Sequence, residues 1–260
     1  MFRMITALDP ERLYYNTGNS KNTEKRSGVC MAGKNCDLEN APADSLHARF
    51  KYFKRKDIKP DFSKLNAPDF QQKIIDTNVD SWMINSSGVK VLQTKSGLLI
   101  CKNLFSKKLL QRLGEEALFE YTKTEVGRNN LINVGRTLTD KIVNWSADDI
   151  LKQANNSSIG IHRDDIDYQI APIMTISLGC PGLFQIGKGE RDEEGYEVFL
   201  EHGDLCILDG PDRSAFHAVP RILSFEDTTG VEPLSASDNS RLDAYLRQSR
   251  INISLRQCKN

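Results

Sequence analysis

The sequence predicts an α+β protein whose C-terminal half forms a β-sandwich or jelly roll. From residue 161 onward, short apolar stretches alternate with turn residues, chiefly Gly and Asp. Near-regular spacing of such stretches is typical of two-layer β structures. The final stretch alternates strictly between polar and apolar residues over positions 250–256, which indicates a strand. The predicted strands cover residues 97–105, 171–179, 182–190, 196–210, 216–223 and 249–257.

The polar face of the final strand is unusual, because it groups two guanidinium groups, an amide and a hydroxyl. These groups belong to Arg250, Asn252, Ser254 and Arg256. The face either looks into solvent, as on an ordinary half-exposed strand, or lines the mouth of a barrel that holds an anion. An arginine suits the second arrangement, since its planar fork binds a carboxylate bidentately and keeps its charge when partly buried. The strand alone leaves both interpretations open.

The chain is expected to have three parts: a flexible tail at 1–45, a helical and basic extension at 46–150, and the jelly-roll domain at 151–260. The tail is polar and shows no sustained period, which is typical of a mobile segment. Within the middle part, we expect residues 66–95 to be irregular, with short helices.

A helix with Ser45 as its N-cap is predicted from the helical spacing of Leu46, Phe50 and Phe53. It carries the most basic run of the chain, residues 49–56. Basic residues interleaved with aromatic ones could bind a phosphate backbone. The alternative is a solvated helix face whose aromatic residues dock on the main domain. Further helices are predicted over residues 106–123 and 240–248.

Composition narrows the class of protein and its compartment. Lys and Arg balance Asp and Glu at 35 each, which argues against a uniformly basic protein that coats nucleic acid but not against a local basic groove. No apolar run reaches the ~18 residues that a membrane span needs. The first 30 residues carry acidic residues and no apolar h-region, so we do not expect a secretory signal. Cys101, Cys180 and Cys206 lie in apolar runs, which indicates a reducing compartment. We expect a monomer in the nucleus or cytoplasm, with the mitochondrion left open.

Three residues have the types and spacing of a metal site. His162 and Asp164 form an H-x-D pair, which places both side chains on one face of a strand end or tight turn. His217 begins a later predicted strand of the same region. Two imidazoles and one carboxylate that leave open positions are the ligand set of non-haem Fe(II) oxygenases, although such a set can also bind zinc in hydrolytic sites. The arginines of the final strand favour the oxygenase interpretation, because they supply a countercharge for a dicarboxylate.

Five motifs follow one another through the C-terminal part: H-x-D, G-x-x-x-x-F-Q-x-G, LEHGDL, a later His, and R-x-N-x-[ST]-x-R. Together they resemble the AlkB family of Fe(II)- and 2-oxoglutarate-dependent dioxygenases. The stretches FHAVPRIL and AYLRQSRINISLRQ are similar to the animal AlkB homologue one branch. The resemblance covers residues 160–260 well and 46–65 loosely.

The resemblance implies a double-stranded β-helix (jelly-roll) fold and an oxidative enzyme that uses Fe(2+), 2-oxoglutarate and O2. The implied metal-binding and catalytic residues are His162, Asp164 and His217. Arg250 would pair with the distal carboxylate of 2-oxoglutarate, with Asn252 and Arg256 near its chelating end. Such an enzyme removes N-methyl groups from nucleobases in DNA and tRNA, so nucleic acid would be its substrate and the base must be flipped out or unpaired.

The chain departs from the family just before the first iron-binding histidine. The family has an Asn-x-Tyr pair there that contacts 2-oxoglutarate, whereas this sequence has Lys152, Gln153 and Ala154, and the segment expected to form a nucleotide lid is short. Two alternatives therefore stay open. One is the same oxygenase chemistry on a protein or small molecule, and the other is a non-catalytic jelly roll that binds metal or nucleic acid. His202, in the LEHGD turn, is predicted to be structural, and His47 to lie at the surface.

Overall fold

The computed structural model describes residues 2–7, 45–77, 81–85, 88–120, 158–164, 171–225 and 240–257. Within these residues, strands form two antiparallel sheets. The strands are β1 (Phe2–Ala7), β2 (Gln71–Ile75), β3 (Val89–Gln93), β4 (Leu98–Lys102), β5 (Ile159–His162), β6 (Ile173–Gly179), β7 (Gly182–Gly187), β8 (Gly195–Leu200), β9 (Leu205–Leu208), β10 (His217–Ile222) and β11 (Arg250–Gln257). The major sheet has the order β1-β11-β6-β9-β4-β3-β2, and the minor sheet has the order β5-β10-β7-β8.

Four strands of each sheet form a double-stranded β-helix. In the major sheet these are β11, β6, β9 and β4, and opposite them lie β5, β10, β7 and β8 of the minor sheet. Strand β1 extends the major sheet beyond β11, while β3 and β2 extend it beyond β4. The jelly roll predicted from the sequence is confirmed.

One apolar cluster fills the space between the two sheets. Successive residues of a strand point to opposite faces, so alternate residues of β4, β7 and β9 contribute to it. Its members are Leu98, Ile100, Ile173, Phe184, Ile186, Leu200, Cys206, Leu208, Ala215 and Val219. Because these residues come from both sheets, their packing fixes the sheets face to face.

Helices cover the outer face of the major sheet. These are α2 (Lys107–Glu115), which continues as a π-helical turn (Glu116–Glu120), and α3 (Ser240–Leu246). They bury a second apolar cluster that includes Leu110, Ala117, Leu118, Ile176, Leu178, Leu242, Tyr245, Leu246, Ile251 and Ile253. The hydroxyls of Ser45 and Ser106 accept hydrogen bonds from the backbone N–H three residues later, so both serines are the N-caps that the sequence predicts.

Helix α1 (Leu46–Lys54) packs on the minor sheet, against β7, β8 and β10. Leu46 and Phe53 are fully buried. Arg49 is buried as well, and its Nε and Nη2 atoms donate to the two carboxylate oxygens of Glu197 on β8, each at 2.5 Å. Of the two interpretations of the basic run, the structure shows the docked helix, and Arg49 is not available to a phosphate.

One prediction for the N-terminal half is wrong. Residues 66–95, expected to be irregular with short helices, contain β2 and β3, which pair with each other and join β4. Every residue of β2 is exposed, so no apolar alternation marks it in the sequence. The segment predicted as a flexible tail contributes β1, which runs antiparallel to β11, while residues 8–44 lie outside the described part.

The predicted strand at 196–210 forms two strands, β8 and β9, with the LEHGD turn between them. Cys101, Cys180 and Cys206 are free and buried, as predicted. Burial raises the pKa of the Cys180 and Cys206 thiols to about 12, so both stay protonated at neutral pH. Among the described helices, none combines the length and apolar character that crossing a membrane requires.

Candidate metal centre and co-substrate pocket

The structure brings His162, Asp164 and His217 together. His162 Nε2 lies 3.9 Å from Asp164 Oδ1, and His217 Nε2 lies 3.4 Å from Asp164 Oδ2. The three ligand atoms lie within 4.8 Å of one another, and no other group of this kind occurs among the described residues. A single ion could therefore be bound by all three side chains.

Strand pairing explains why the two histidines meet. β5 ends at His162, and the register of the minor sheet places His162 directly opposite His217, the first residue of β10. Directly opposed residues of antiparallel strands point to the same face. Asp164 follows β5 by two residues, as the H-x-D spacing requires, and the His217 ring packs 5.9 Å from the ring of Phe184 in the apolar interior.

Backbone carbonyls set the tautomer of both imidazoles. His162 Nδ1 lies 2.9 Å from the carbonyl oxygen of Gly160, and His217 Nδ1 lies 3.1 Å from that of Ala215. A carbonyl oxygen can only accept, so Nδ1 carries the proton in each ring. In a neutral imidazole the lone pair is then on Nε2, the atom that faces Asp164, and this is the arrangement found in metal-binding histidines. The donor set of two neutral imidazoles and one carboxylate fits Fe(2+).

The centre is closed on one side and open on the other. The side chains of His217 and Asp164 are 9% and 11% exposed, whereas that of His162 is 42% exposed. Burial restricts the positions of the His217 and Asp164 side chains. The exposed edge of His162 marks the side from which a substrate could approach.

The polar face of β11 points into the barrel, which decides between the two interpretations left open by the sequence. Ile251 and Ile253, on the other face, are fully buried beneath α2 and α3. Arg250 is 6% exposed, and its Nη1 donates to the carbonyl oxygen of Leu200 on β8, in the opposite sheet, at 2.9 Å. Its Nη2 donates to Ser177 Oγ of β6 at 2.6 Å.

Arg250 is a buried cation that lacks a paired anion in the described part of the chain. Its guanidinium contacts carbonyl and hydroxyl oxygens, no ion pair with a carboxylate is found, and Nε has no hydrogen-bond partner although it is buried. Burial lowers the pKa of Arg250 to about 10, so the charge remains at neutral pH. A buried charge is costly unless it is paired. The carboxylate of a bound dicarboxylate would supply the missing partner, so the pocket fits 2-oxoglutarate.

Of the other two residues predicted to lie near the co-substrate, the structure describes the side chain of Asn252 but not that of Arg256. Asn252 follows Arg250 on the same face, and its Oδ1 is buried without a hydrogen-bond partner among the described residues. The Ser254 hydroxyl lies 3.2 Å from Thr175 Oγ1 on β6. Arg256 lies on β11, but its side chain is outside the described part, so its role stays a prediction. Lys152, Gln153 and Ala154 also lie outside the described residues.

His202 is held away from the metal ligands by the backbone. Its Nδ1 accepts the N–H of Gly179 at 2.9 Å, so the bond ties the turn between β8 and β9 to the end of β6. Burial, followed by the charge of Arg250, lowers its pKa to about 4. The metal-ligand cluster does not include it, in agreement with the structural role predicted.

Two residues that shape the pocket, Ser177 and Gly182, are not among the residues predicted from the sequence. Ser177 is fully buried and accepts from Arg250, and its place on the inner face follows from the alternation of β6. A Cβ at Gly182 would lie 3.0 Å from Arg250 Nε, so the absent side chain makes room for the guanidinium. Alternation could have found Ser177, whereas no local signal identifies Gly182.

Comparison with known proteins agrees with this geometry. Residues 128–256 match the family described as the 2OG-Fe(II) oxygenase superfamily. This range includes the three candidate metal ligands, Arg250 and Asn252. The class of protein that the fold and the site define is therefore a 2-oxoglutarate- and Fe(II)-dependent oxygenase, and that class implies Fe(2+), 2-oxoglutarate and O2.

Curated relatives narrow the class. The chain is 32% identical over 105 residues to the DNA N(6)-methyladenine demethylase ALKBH1A of Arabidopsis thaliana, covering 38% of this chain and 30% of that protein. It is 31% identical over 122 residues to the human nucleic acid dioxygenase ALKBH1, covering 39% and 31%. It is 27% identical over 103 residues to the tRNA demethylase abh1 of Schizosaccharomyces pombe, covering 39% and 33%. The matched part of the chain is similar to proteins of the AlkB family, and it spans about a third of the length of these relatives.

Proposed function

We propose that the chain is an Fe(II)- and 2-oxoglutarate-dependent oxidative demethylase that acts on N-methylated nucleobases in nucleic acid. The observation that carries the proposal is a pair of features in one barrel. A three-ligand cluster lies at the minor sheet, with Nδ1 of both histidines on backbone carbonyls. The buried guanidinium of Arg250, which has no carboxylate partner among the described residues, projects from the major sheet. A metal centre alone would fit several classes of enzyme, but the added anion pocket fits a dicarboxylate co-substrate.

Each residue has a defined part in the proposal. The iron would be bound by His162, Asp164 and His217, while Nδ1–H of each imidazole keeps its hydrogen bond to a backbone carbonyl. The distal carboxylate of 2-oxoglutarate would be bound by Arg250, whose guanidinium is oriented by Ser177. Iron bound here would supply the activation of O2 that couples oxidation of 2-oxoglutarate, to succinate and CO2, with oxidation of the methyl group. The oxidised methyl group then leaves as formaldehyde.

The substrate class is inferred from the names of the relatives. They include a DNA N(6)-methyladenine demethylase, a nucleic acid dioxygenase and a tRNA demethylase. We propose a methylated base in DNA or tRNA, which enters the site from the exposed edge of His162. A base inside a duplex must be flipped out before it reaches this edge, so an unpaired base is expected to react faster.

The test is to incubate the Fe(II)-loaded protein with 2-oxoglutarate and methylated oligonucleotides, both single-stranded DNA and tRNA fragments. Succinate and the demethylated base would be measured together. The control variant is Asp164→Asn, which removes the charged ligand and keeps its size. We expect coupled formation of both products with the native chain and neither with the variant. Succinate formation that survives in the variant would contradict the proposed centre.

A second candidate is the same oxygenase chemistry on a protein or small molecule. The observation that favours it is the docking of α1, because Arg49 is committed to a buried pair with Glu197 and the helix does not offer its basic run intact to a phosphate backbone. In the assay above, this candidate predicts succinate formation that does not depend on a methylated oligonucleotide. Product from methylated nucleic acid would exclude it.

We propose a reducing compartment, the nucleus or the cytoplasm. The free buried thiols of Cys101, Cys180 and Cys206 support it. Imaging of the tagged full-length protein tests the proposal, and a secreted protein would contradict it.

A further inference from the structure

A short 3₁₀ turn, Gly210–Ser214, lies between β9 and β10 and leads directly to the metal ligand His217. Arg213 of this turn is 4% exposed, which is unusual for an arginine. Its Nη1 donates to the backbone carbonyl of Asp164 at 2.7 Å, and its Nε donates to the carbonyl of Ala171 at 2.7 Å. One guanidinium therefore bridges the two ends of the segment that begins at the carboxylate ligand.

The two contacts of Arg213 fix the relative orientation of the two carbonyls as well as their distances from the guanidinium. A guanidinium is planar, and its N–H groups form a rigid fork, so two carbonyls bound to it are fixed relative to each other as well as to the arginine. With the carbonyl of Asp164 held, the position from which its side chain leaves the backbone is held too. The carboxylate would then reach the two imidazoles without a search over backbone conformations.

The turn that carries Arg213 is itself anchored to the major sheet. Asp212 Oδ2 accepts from the N–H of Leu98 at 2.7 Å and from the hydroxyls of Ser96 and Thr94 at 2.8 and 3.2 Å. Immediately after the turn, the carbonyl of Ala215 accepts from His217 Nδ1. The same turn thus orients one imidazole ligand through a carbonyl and reaches the carboxylate ligand through Arg213.

We propose that Arg213 is a positioning residue for the metal centre: it holds the Asp164 backbone so that the carboxylate is preorganised for the ion. The inference rests on the proposed metal site and adds a residue with no ligand atom of its own. Outer residues that orient metal ligands commonly change metal affinity by about 10- to 100-fold when they are replaced. We expect a loss in that range.

The test measures Co(II) binding to the metal-free full-length protein through the visible absorption of the bound ion, without any turnover. Arg213→Lys keeps the positive charge but lacks the rigid planar fork that fixes the two carbonyls relative to each other, and Arg213→Gln removes the charge as well. The matched control is Arg49→Lys, which replaces an arginine of similar burial whose partner, Glu197, lies away from the three ligands. Thermal unfolding of each metal-free variant is recorded in parallel.

We expect both Arg213 variants to bind Co(II) at least about tenfold more weakly, and with an altered visible spectrum. Arg49→Lys should lower the unfolding temperature but leave the Co(II) dissociation constant within about twofold of the native value. Unchanged affinity in both Arg213 variants would overturn the inference while leaving the proposed function intact. An equal loss in the Arg49 control would also overturn it, because general loosening would then explain the effect. If the native chain binds no Co(II), the proposed function fails at the metal site itself, and the inference fails with it.

Discussion

The contact between Gly182 and Arg250 allows a sharp test of the co-substrate pocket. In Gly182→Ala, the new Cβ would lie 3.0 Å from Arg250 Nε and 3.2 Å from Cδ and Cζ, whereas ordinary contact begins at 3.4 Å. The guanidinium must therefore withdraw by about 0.4 Å, and its bonds to Leu200 and Ser177 resist that shift. The φ of Gly182 is not in the left-handed region, so alanine itself is tolerated by the backbone.

The expected cost follows from the size of the displacement. A misplacement of about 1 Å in a positioning group can cost about a hundredfold, so in proportion a shift of about 0.4 Å is expected to weaken 2-oxoglutarate binding about sixfold, or about 1.1 kcal/mol. The assay is anaerobic titration of the Fe(II)-loaded protein with 2-oxoglutarate, followed by the charge-transfer absorption of the complex. Iron affinity, measured separately, should not change.

Gly187→Ala is the matched control, because it lies on the same strand, β7. Its Cβ would lie 3.0 Å from Leu46 Cδ2 of α1, so the overlap is similar but falls outside the barrel. We expect a small loss of stability and native 2-oxoglutarate affinity. If Gly182→Ala binds 2-oxoglutarate as tightly as Gly187→Ala does, Arg250 is not the anchor and the reasoning is refuted.

Three further predictions concern charge and pH. Arg49→Met leaves the fully buried carboxylate of Glu197 without its cationic partner, so we expect the free energy of unfolding by urea to fall by about 3–5 kcal/mol. Adding Glu197→Gln to the same chain should recover most of this loss. An unchanged free energy of unfolding would contradict a buried ion pair. The lowered pKa of His202, about 4 against an ordinary 6.5, means that the unfolded chain takes up the proton first. The contribution of His202 to the free energy of unfolding should be fully present above pH 6.5 and should fall by about 3 kcal/mol toward pH 4. In His202→Asn, whose amide oxygen can still accept from Gly179, that fall should be absent. Identical pH profiles of the two proteins would contradict the prediction. Arg250→Met removes a buried charge that has no carboxylate partner among the described residues, so the free energy of unfolding should fall less than in Arg49→Met. 2-Oxoglutarate binding should be lost while the Co(II) affinity is unchanged, and retained co-substrate binding would contradict the pocket.

The sequence predicted those parts of the fold that a local pattern determines. Polar–apolar alternation identified β11, helical spacing behind Ser45 and Ser106 identified α1 and α2, and the H-x-D pair with His217 identified the three side chains that the structure brings together. By contrast, the alternation of β11 is the same whether its polar face points inward or outward. That direction is decided by α2 and α3, which cover Ile251 and Ile253.

Other features depend on partners that are distant in the sequence. Strand β2 is exposed at every position and exists because it pairs with β3, so its residues show no pattern to find. Arg213 looks like an ordinary turn residue until the fold places Asp164 and Ala171 against it. Gly182 is likewise informative only through the guanidinium that a side chain there would displace.

The division of the site between the two sheets has a consequence for the choice of co-substrate. The metal ligands belong to the minor sheet and Arg250 to the major one, so the packed side chains between the sheets set the gap that a bridging diacid must span. Interiors packed at crystal density deform little, so the width of this gap selects the chain length of the diacid that can bind at both ends. A 2-oxo diacid shorter than 2-oxoglutarate, such as oxaloacetate, is expected to reach either the metal ligands or Arg250, but not both. Trimming a core residue such as Phe184 or Leu200 is therefore expected to alter which diacid is accepted, even though neither residue is polar.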